Sequence, residues 1–218
     1  MKRLMVWIGL LTLGFFTINA QNTLTEEEQK YIEVLKSRSE KILDQYVKLP
    51  EGDKRVIVTD LMVKQYWNIN KVIDTKDALL KNLTESGLSD RKINKKRAKA
   101  EIKTEKKLKK LQKRFLKDLS DHLNDEQIDG IKDGMTLGAL NHNYRGFTEM
   151  IPSLTREEKD YIYNQLLEAR DKAMNMGSAE DKQAVFRQYK GRINNYLSNE
   201  RGYDLKKEGE RWQQRIKK

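Results

Sequence analysis

The sequence predicts an all-α protein, a helical bundle of about six helices that includes one long basic amphipathic helix. Three observations carry that expectation. Apolar residues recur at spacings of three and four along most of the chain, which is the period of one helix face. Only two prolines occur in 218 residues, and proline is the residue that helix interiors exclude most strongly. Hydrophobic residues make up 37 % and charged residues 35 %, a balance that suits helices with wide solvated faces better than a thick layered core.

Residues 1–20 are expected to be a signal peptide, leaving 21–218 as a single helical domain. Lys2 and Arg3 form a positive start, and Leu4 to Phe16 form an apolar stretch too short to span a bilayer comfortably. Thr17-Ile18-Asn19-Ala20 reads as a cleavage region ending near Ala20. An uncleaved N-terminal anchor is the alternative. Cleavage would lower the net charge from +11 to +9, and the mature chain holds no other segment apolar enough to cross a membrane. The absence of cysteine excludes a disulfide, a thiolate metal site and a lipid-anchored cysteine.

Leu24-Thr25-Glu26-Glu27-Glu28 is the first helix start, with Thr25 as cap and Glu28 completing a capping box. Its stripe runs through Leu35, Ile42 and Leu43 to Lys48, where Leu49-Pro50-Glu51-Gly52-Asp53 ends one helix and begins another. The second helix carries Leu61, Tyr66, Ile69 and Leu83 and stops at Gly87, a residue suited to a left-handed C-terminal cap. The basic helix follows over about residues 91–123. Between Arg91 and Lys117 fourteen basic residues face only Glu101 and Glu105. Ile102, Leu108, Leu111, Phe115 and Leu119 keep an apolar stripe beneath the charge, so the segment reads as a helix whose apolar-poor N-terminal half projects or frays.

Asn124 and Gln127 repeat the capping box, and Leu123 with Ile128 would staple that start. Gly130, Gly134 and Gly138 then punctuate the chain, which predicts a short helix, a turning backbone, and one or two helical turns from Tyr144 to Ile151. Leu154-Thr155-Arg156-Glu157-Glu158 opens a helix through Ile162, Leu166, Ala169 and Ala173. Ser178 opens the next, through Val185, Phe186, Tyr189 and Ile193, and Asp204 to about Ile216 forms a short final helix resting on Leu205 and Trp212.

Two stretches gather groups suited to binding. Lys132 to Gly138, continued by His142, Asn143, Tyr144 and Arg145, is either a display loop or a packed corner whose glycines allow close approach. In Lys190-Gly191-Arg192-Ile193-Asn194-Asn195, a glycine inside a helix costs about 1 kcal/mol against alanine, so a close helix crossing or a binding role is expected there. Asn194 and Asn195 would satisfy backbone groups of the 134–146 segment. Tyr144, Arg145, Lys190, Arg192, Asn194 and Asn195 are accordingly the candidate ligand-binding residues. An enzymatic alternative uses Asp129 and Asp133, four apart on a helix, with His142, to hold a metal or act as an acid/base pair on a glycan. No nucleophile elbow, metalloprotease, P-loop or dinucleotide motif is present.

The runs Glu126-Gln127, Lys132-Asp133-Gly134-Met135-Thr136, Tyr144-Arg145-Gly146-Phe147, Ile151-Pro152-Ser153-Leu154-Thr155, Glu168-Ala169-Arg170, Tyr189 to Leu197 and Gly202-Tyr203-Asp204-Leu205 together resemble the uncharacterised secreted bacterial family called domain of unknown function 3826. The resemblance covers about residues 25–205. It implies export and a helical domain and names no reaction. The Leu-Thr-x-x-Glu starts also resemble those of small periplasmic chaperones of the LTxxQ type, a likeness that rests on helix caps.

These readings lead to an exported, non-catalytic binding protein for an anionic ligand such as an acidic glycan, requiring no cofactor. The alternative is a chaperone-like module that meets an acidic protein through the basic helix. Export argues against nucleic acid as the partner. The protein should be periplasmic or secreted. When it is produced with its own leader, intact mass should place the mature N-terminus at Gln21, and a cytoplasmic chain still carrying Met1 to Ala20 would overturn the export reading.

Overall fold

A computed structural model describes residues 24–217; the expected leader and its cleavage point lie outside them. Eight α-helices and no strand form among the described residues. They are α1 (Glu26–Ile42), α2 (Asp53–Thr84), α3 (Asp90–Ser120), α4 (Asp125–Met135), α5 (Ala139–Met150), α6 (Arg156–Ala173), α7 (Ala179–Asn195) and α8 (Leu205–Ile216). The count exceeds about six in part because the glycine-punctuated segment, expected as a short helix, a turning backbone and one or two further turns, is more regular than that. It is two helices, α4 and α5, joined by three residues of which Leu137 and Gly138 are left-handed.

Polar capping fixes where most of the helices begin. Thr25, Asn124 and Thr155 each form a complete capping box, with Glu28, Gln127 and Glu158 closing back on the cap. Ser178 and Asp204 cap α7 and α8 by accepting from Asp181 and Lys207 N–H. Gly87 takes the left-handed conformation expected of it, φ +65°. Two helices end in a widened π-helical turn, Leu43–Val47 after α1 and Tyr196–Glu200 after α7. Leu49 N–H then closes on the Leu43 carbonyl at 3.2 Å, and Tyr203 N–H on Leu197 at 3.0 Å.

The helices bury two apolar clusters. Leu35, Leu43, Met62, Phe115, Leu119 and Ile131 centre the first, formed by α1 to α4. Phe147, Ile162, Leu166, Phe186 and Ile193 centre the second, formed by α5 to α7 with Leu205 of α8 against it. Beyond Ile69 the hairpin of α2 and α3 extends past the first cluster. Between residues 70 and 107 only Leu83 and Ala100 are buried, so this stretch is a two-helix arm held chiefly by its own mutual contact. α3 is nonetheless continuous from Asp90, without an interruption in its apolar-poor half.

The α4 glycines serve packing. A Cβ on Gly130 would stand 2.5 Å from the Tyr46 carbonyl oxygen, and one on Gly134 2.4 Å from Ile42 Cγ2. The π-helical turn after α1 therefore seats its backbone directly on α4, which only glycine permits. Gly191 differs from expectation. It is exposed, and nothing lies within 4 Å of an added Cβ, so no close crossing requires it. Gly130→Ala should cost about 2 kcal/mol through overpacking against backbone that cannot yield, whereas Gly191→Ala should add about 0.5–1 kcal/mol of stability. Urea unfolding of the two variants checks both signs.

Candidate functional site

The most unusual surface is the outer face of α3. All fourteen basic side chains from Arg91 to Lys117 are exposed. Among the described residues only Lys109 has a carboxylate partner, Glu105 at 3.0 Å. Ala100, Leu108, Phe115 and Leu119 turn the opposite face inward. Lys99, Lys103, Lys106, Lys110, Lys113 and Lys117 follow one another by four and three residues alternately, which aligns them along the helix. At about 1.5 Å per residue they stand about 5 Å apart along a line of about 27 Å. Such a row of unneutralised charge sets up a strong local positive potential.

The six residues singled out from the sequence fall on two helices. Tyr144 and Arg145 lie on α5, and Lys190, Arg192, Asn194 and Asn195 on the C-terminal half of α7; both helices pack against α6. Tyr144 meets Tyr163 edge to face, with centroids 5.3 Å apart. Arg145 is exposed, its Nε 3.8 Å from Glu149 of its own helix. The Arg192 guanidinium lies 4.5 Å from the Tyr189 ring centre. Lys190 is half-buried, and Asn194 and Asn195 are exposed. The recorded partners of Tyr144, Arg145 and Arg192 are thus local, on the same helix or on α6.

Between the two clusters lies a buried polar junction that the sequence did not reveal. Arg170 of α6, 4 % exposed, donates to Asp133 Oδ1 at 2.7 Å and Asp129 Oδ1 at 3.0 Å. Asp133 also accepts from Asn141 Nδ2 at 2.9 Å, and Asp129 from Lys132 Nζ at 3.0 Å. The paired carboxylates on one face of α4 are therefore real, but they clamp an arginine. Burial works against the Asp129 charge, yet Lys132 and Arg170 outweigh it and hold this carboxyl below its ordinary range. A general acid needs the reverse.

Beside the junction, Lys182 of α7 is 1 % exposed and donates to the Met135 carbonyl at 2.8 Å. It thus satisfies the C-terminal end of α4, the task expected of Asn194 and Asn195. Burial, with the nearby Arg38 charge second, pulls the Lys182 ammonium down to about 8. The Lys182 Nζ is 5.5 Å from the ring centre of Tyr66, whose hydroxyl is buried without a partner and pushed up to about 12 by burial.

A second buried charge organises the far end. Glu158, 2 % exposed, accepts from Thr155 N–H at 2.8 Å, Arg201 Nε at 2.7 Å and the Tyr203 hydroxyl at 2.9 Å. Burial alone would raise its pKa; these donors prevail and lower it to about 2. The capping box made Glu158 visible in the sequence, but its partners 43 and 45 residues away were not.

A model of the family described as "Protein of unknown function (DUF3826)" matches residues 23–218. No curated protein matches the chain.

Two pH limbs follow. The Glu158 pKa is depressed on folding, so its contribution is present above the ordinary value of 4.5 and is lost as pH falls toward 2. Glu158→Gln should remove about 3 kcal/mol at neutral pH, from a shift of that size, and flatten the acid limb. The Lys182 pKa is also depressed, but the group is a base. Unfolded chains still bind its proton between about 8 and 10.5, so stability rises with pH there, by on the order of 2 kcal/mol up to pH 10. Tyr66, with its raised pKa, reverses the trend between 10 and 12. Urea midpoints from pH 7 to 10 should rise for the native chain and stay flat for Lys182→Met.

Proposed function

This chain belongs to the DUF3826 family of proteins of unknown function, and from that footing we propose that it is an exported, non-catalytic binding protein for an anionic ligand, with acidic glycans as the ligand class. The observation that carries the reading is the lysine row of α3, exposed and almost without acidic partners. A chain pays a repulsive cost for holding like charges in one line, and a polyanion laid along the row relieves it. The regular spacing of about 5 Å favours a linear polymer with a charge on each sugar over the irregular acids of a protein surface. The leader-like residues 1–20 support export, where anionic envelope polymers are the natural counterpart. Tyr144, Arg145, Lys190, Arg192, Asn194 and Asn195 enter the proposal as a secondary contact, because aromatic, guanidinium and amide groups stack on sugars and hydrogen-bond to them.

The test is a fluorescence titration of the mature chain with a labelled polyuronate, using a neutral glucan of equal length as control. The polyuronate should bind and the glucan should not. Replacing Lys106, Lys110, Lys113 and Lys117 by Gln should weaken binding about tenfold or more, at a few tenths of a kcal/mol for each exposed charge, and make it less salt-sensitive. Unchanged affinity in that variant would overturn the assignment to α3. Equal binding of polyglutamate would favour the acidic-protein alternative instead.

A further inference from the structure

The inner flank of α3 has the opposite electrical character. A groove of about 770 Å³ lies between the α2–α3 arm on one side and α6 and α7 on the other. Its walls include Glu101 and Glu105, the only two acids in the basic stretch of α3. Glu168, Asp171 and Asp181 face it from α6 and α7. Three lysines, Lys76, Lys109 and Lys172, also line it. Two of them are already neutralised, Lys76 by Asp77 and Lys109 by Glu105, at 3.1 and 3.0 Å. No ion pair forms at Glu101, Glu168, Asp171 or Asp181 among the described residues. In a chain of net charge +11, this is a locally acidic recess.

Two further observations show what the recess would hold. Its apolar lining includes Ile73, Leu108, Met176 and Tyr189, together with Ile102, which is 68 % exposed at the rim. Asn175, 7 % exposed, also lines it. Its amide nitrogen donates to Gln112 Oε1 at 2.8 Å, while its Oδ1 is buried with no donor at all. Gln112 is in turn fixed by donating to the Asp171 carbonyl at 3.0 Å. The groove therefore offers carboxylates without ion-pair partners beside an apolar wall, in a volume typical of small-molecule sites.

We propose that this groove binds a small organic cation with an apolar body, an amphiphilic amine. The body packs against Ile102, Leu108 and Met176, and the ammonium lies among Glu101, Glu168 and Asp171, whose charges it neutralises. This site is separate from the lysine row and does not depend on it.

Dansylcadaverine, an aromatic body ending in a primary amine, is a suitable probe, with the carboxylate-terminated dansyl analogue as its counterpart. Titration of the mature chain should show a blue-shifted, saturable dansyl emission for the amine and at least tenfold weaker binding of the carboxylate. The paired substitution Glu168→Gln with Asp171→Asn should weaken the amine about tenfold. Both positions are exposed, so the melting temperature should hardly move, and polyuronate binding should be retained. Equal binding of the two probes, unchanged affinity in the paired variant, or no binding of the amine up to millimolar concentration would each overturn the proposal.

Discussion

Arg170 is the side chain on which the two halves of the molecule meet. It projects from α6, a helix of the second apolar cluster, and its guanidinium is held by two carboxylates of α4, a helix of the first. A guanidinium removed from water is tolerable only with close anionic partners and good hydrogen bonds. That requirement fixes the distance and rotation of α6 against α4. Lys182 adds a second fastening between the same clusters by reaching from α7 to the last turn of α4. Apolar contacts are forgiving of small slips; two buried cations with defined acceptors are not.

Much of the fold was legible because helix starts and stripes are local. Thr25, Asn124 and Thr155 announced their helices through residues only three positions away, Ser178 stood at the expected start of the next, and the structure places each cap as expected. The stripes through Leu108, Phe115 and Leu119 and through Ile162, Leu166 and Ala173 were equally readable, because burial follows the helical period. The segment from 125 to 150 was harder. Its glycines allowed either a display loop or a packed corner, and Gly130 and Gly134 prove to be the latter, helical and pressed by the backbone and side chains of residues 42–46. Only tertiary contact distinguishes those meanings.

The candidate site was legible in part. The lysine row is a sequence pattern, and its exposure follows from the stripe beneath it. The buried junction was not legible, since Arg170 and Lys182 resemble ordinary surface cations until the partners at 129, 133 and 135 are known. Arg201 and Tyr203 were hidden for the same reason. Gly191 was misleading as a packing signal: a rule about cost implied a close helix crossing, and nothing packs on it at its exposed face. Opposite charge characters on the two flanks of α3 also escaped a net count, because +11 says nothing about how Glu101 and Glu105 are rotated relative to the lysines.

The π-helical turns give the chain two places where the number of residues matters as much as their identity. Each holds one residue more than an α-helical turn would. Dropping a single residue from 43–47 would let α1 continue as a regular helix, swinging everything after it by about 100° and withdrawing the Tyr46 carbonyl from its seat on Gly130. The same deletion within 196–200 would carry Arg201 and Tyr203 away from Glu158. These two short windows act as phase-setters for the helices and loops that follow: Leu43 and Leu197 anchor them in the core, and a changed count would misplace everything after them.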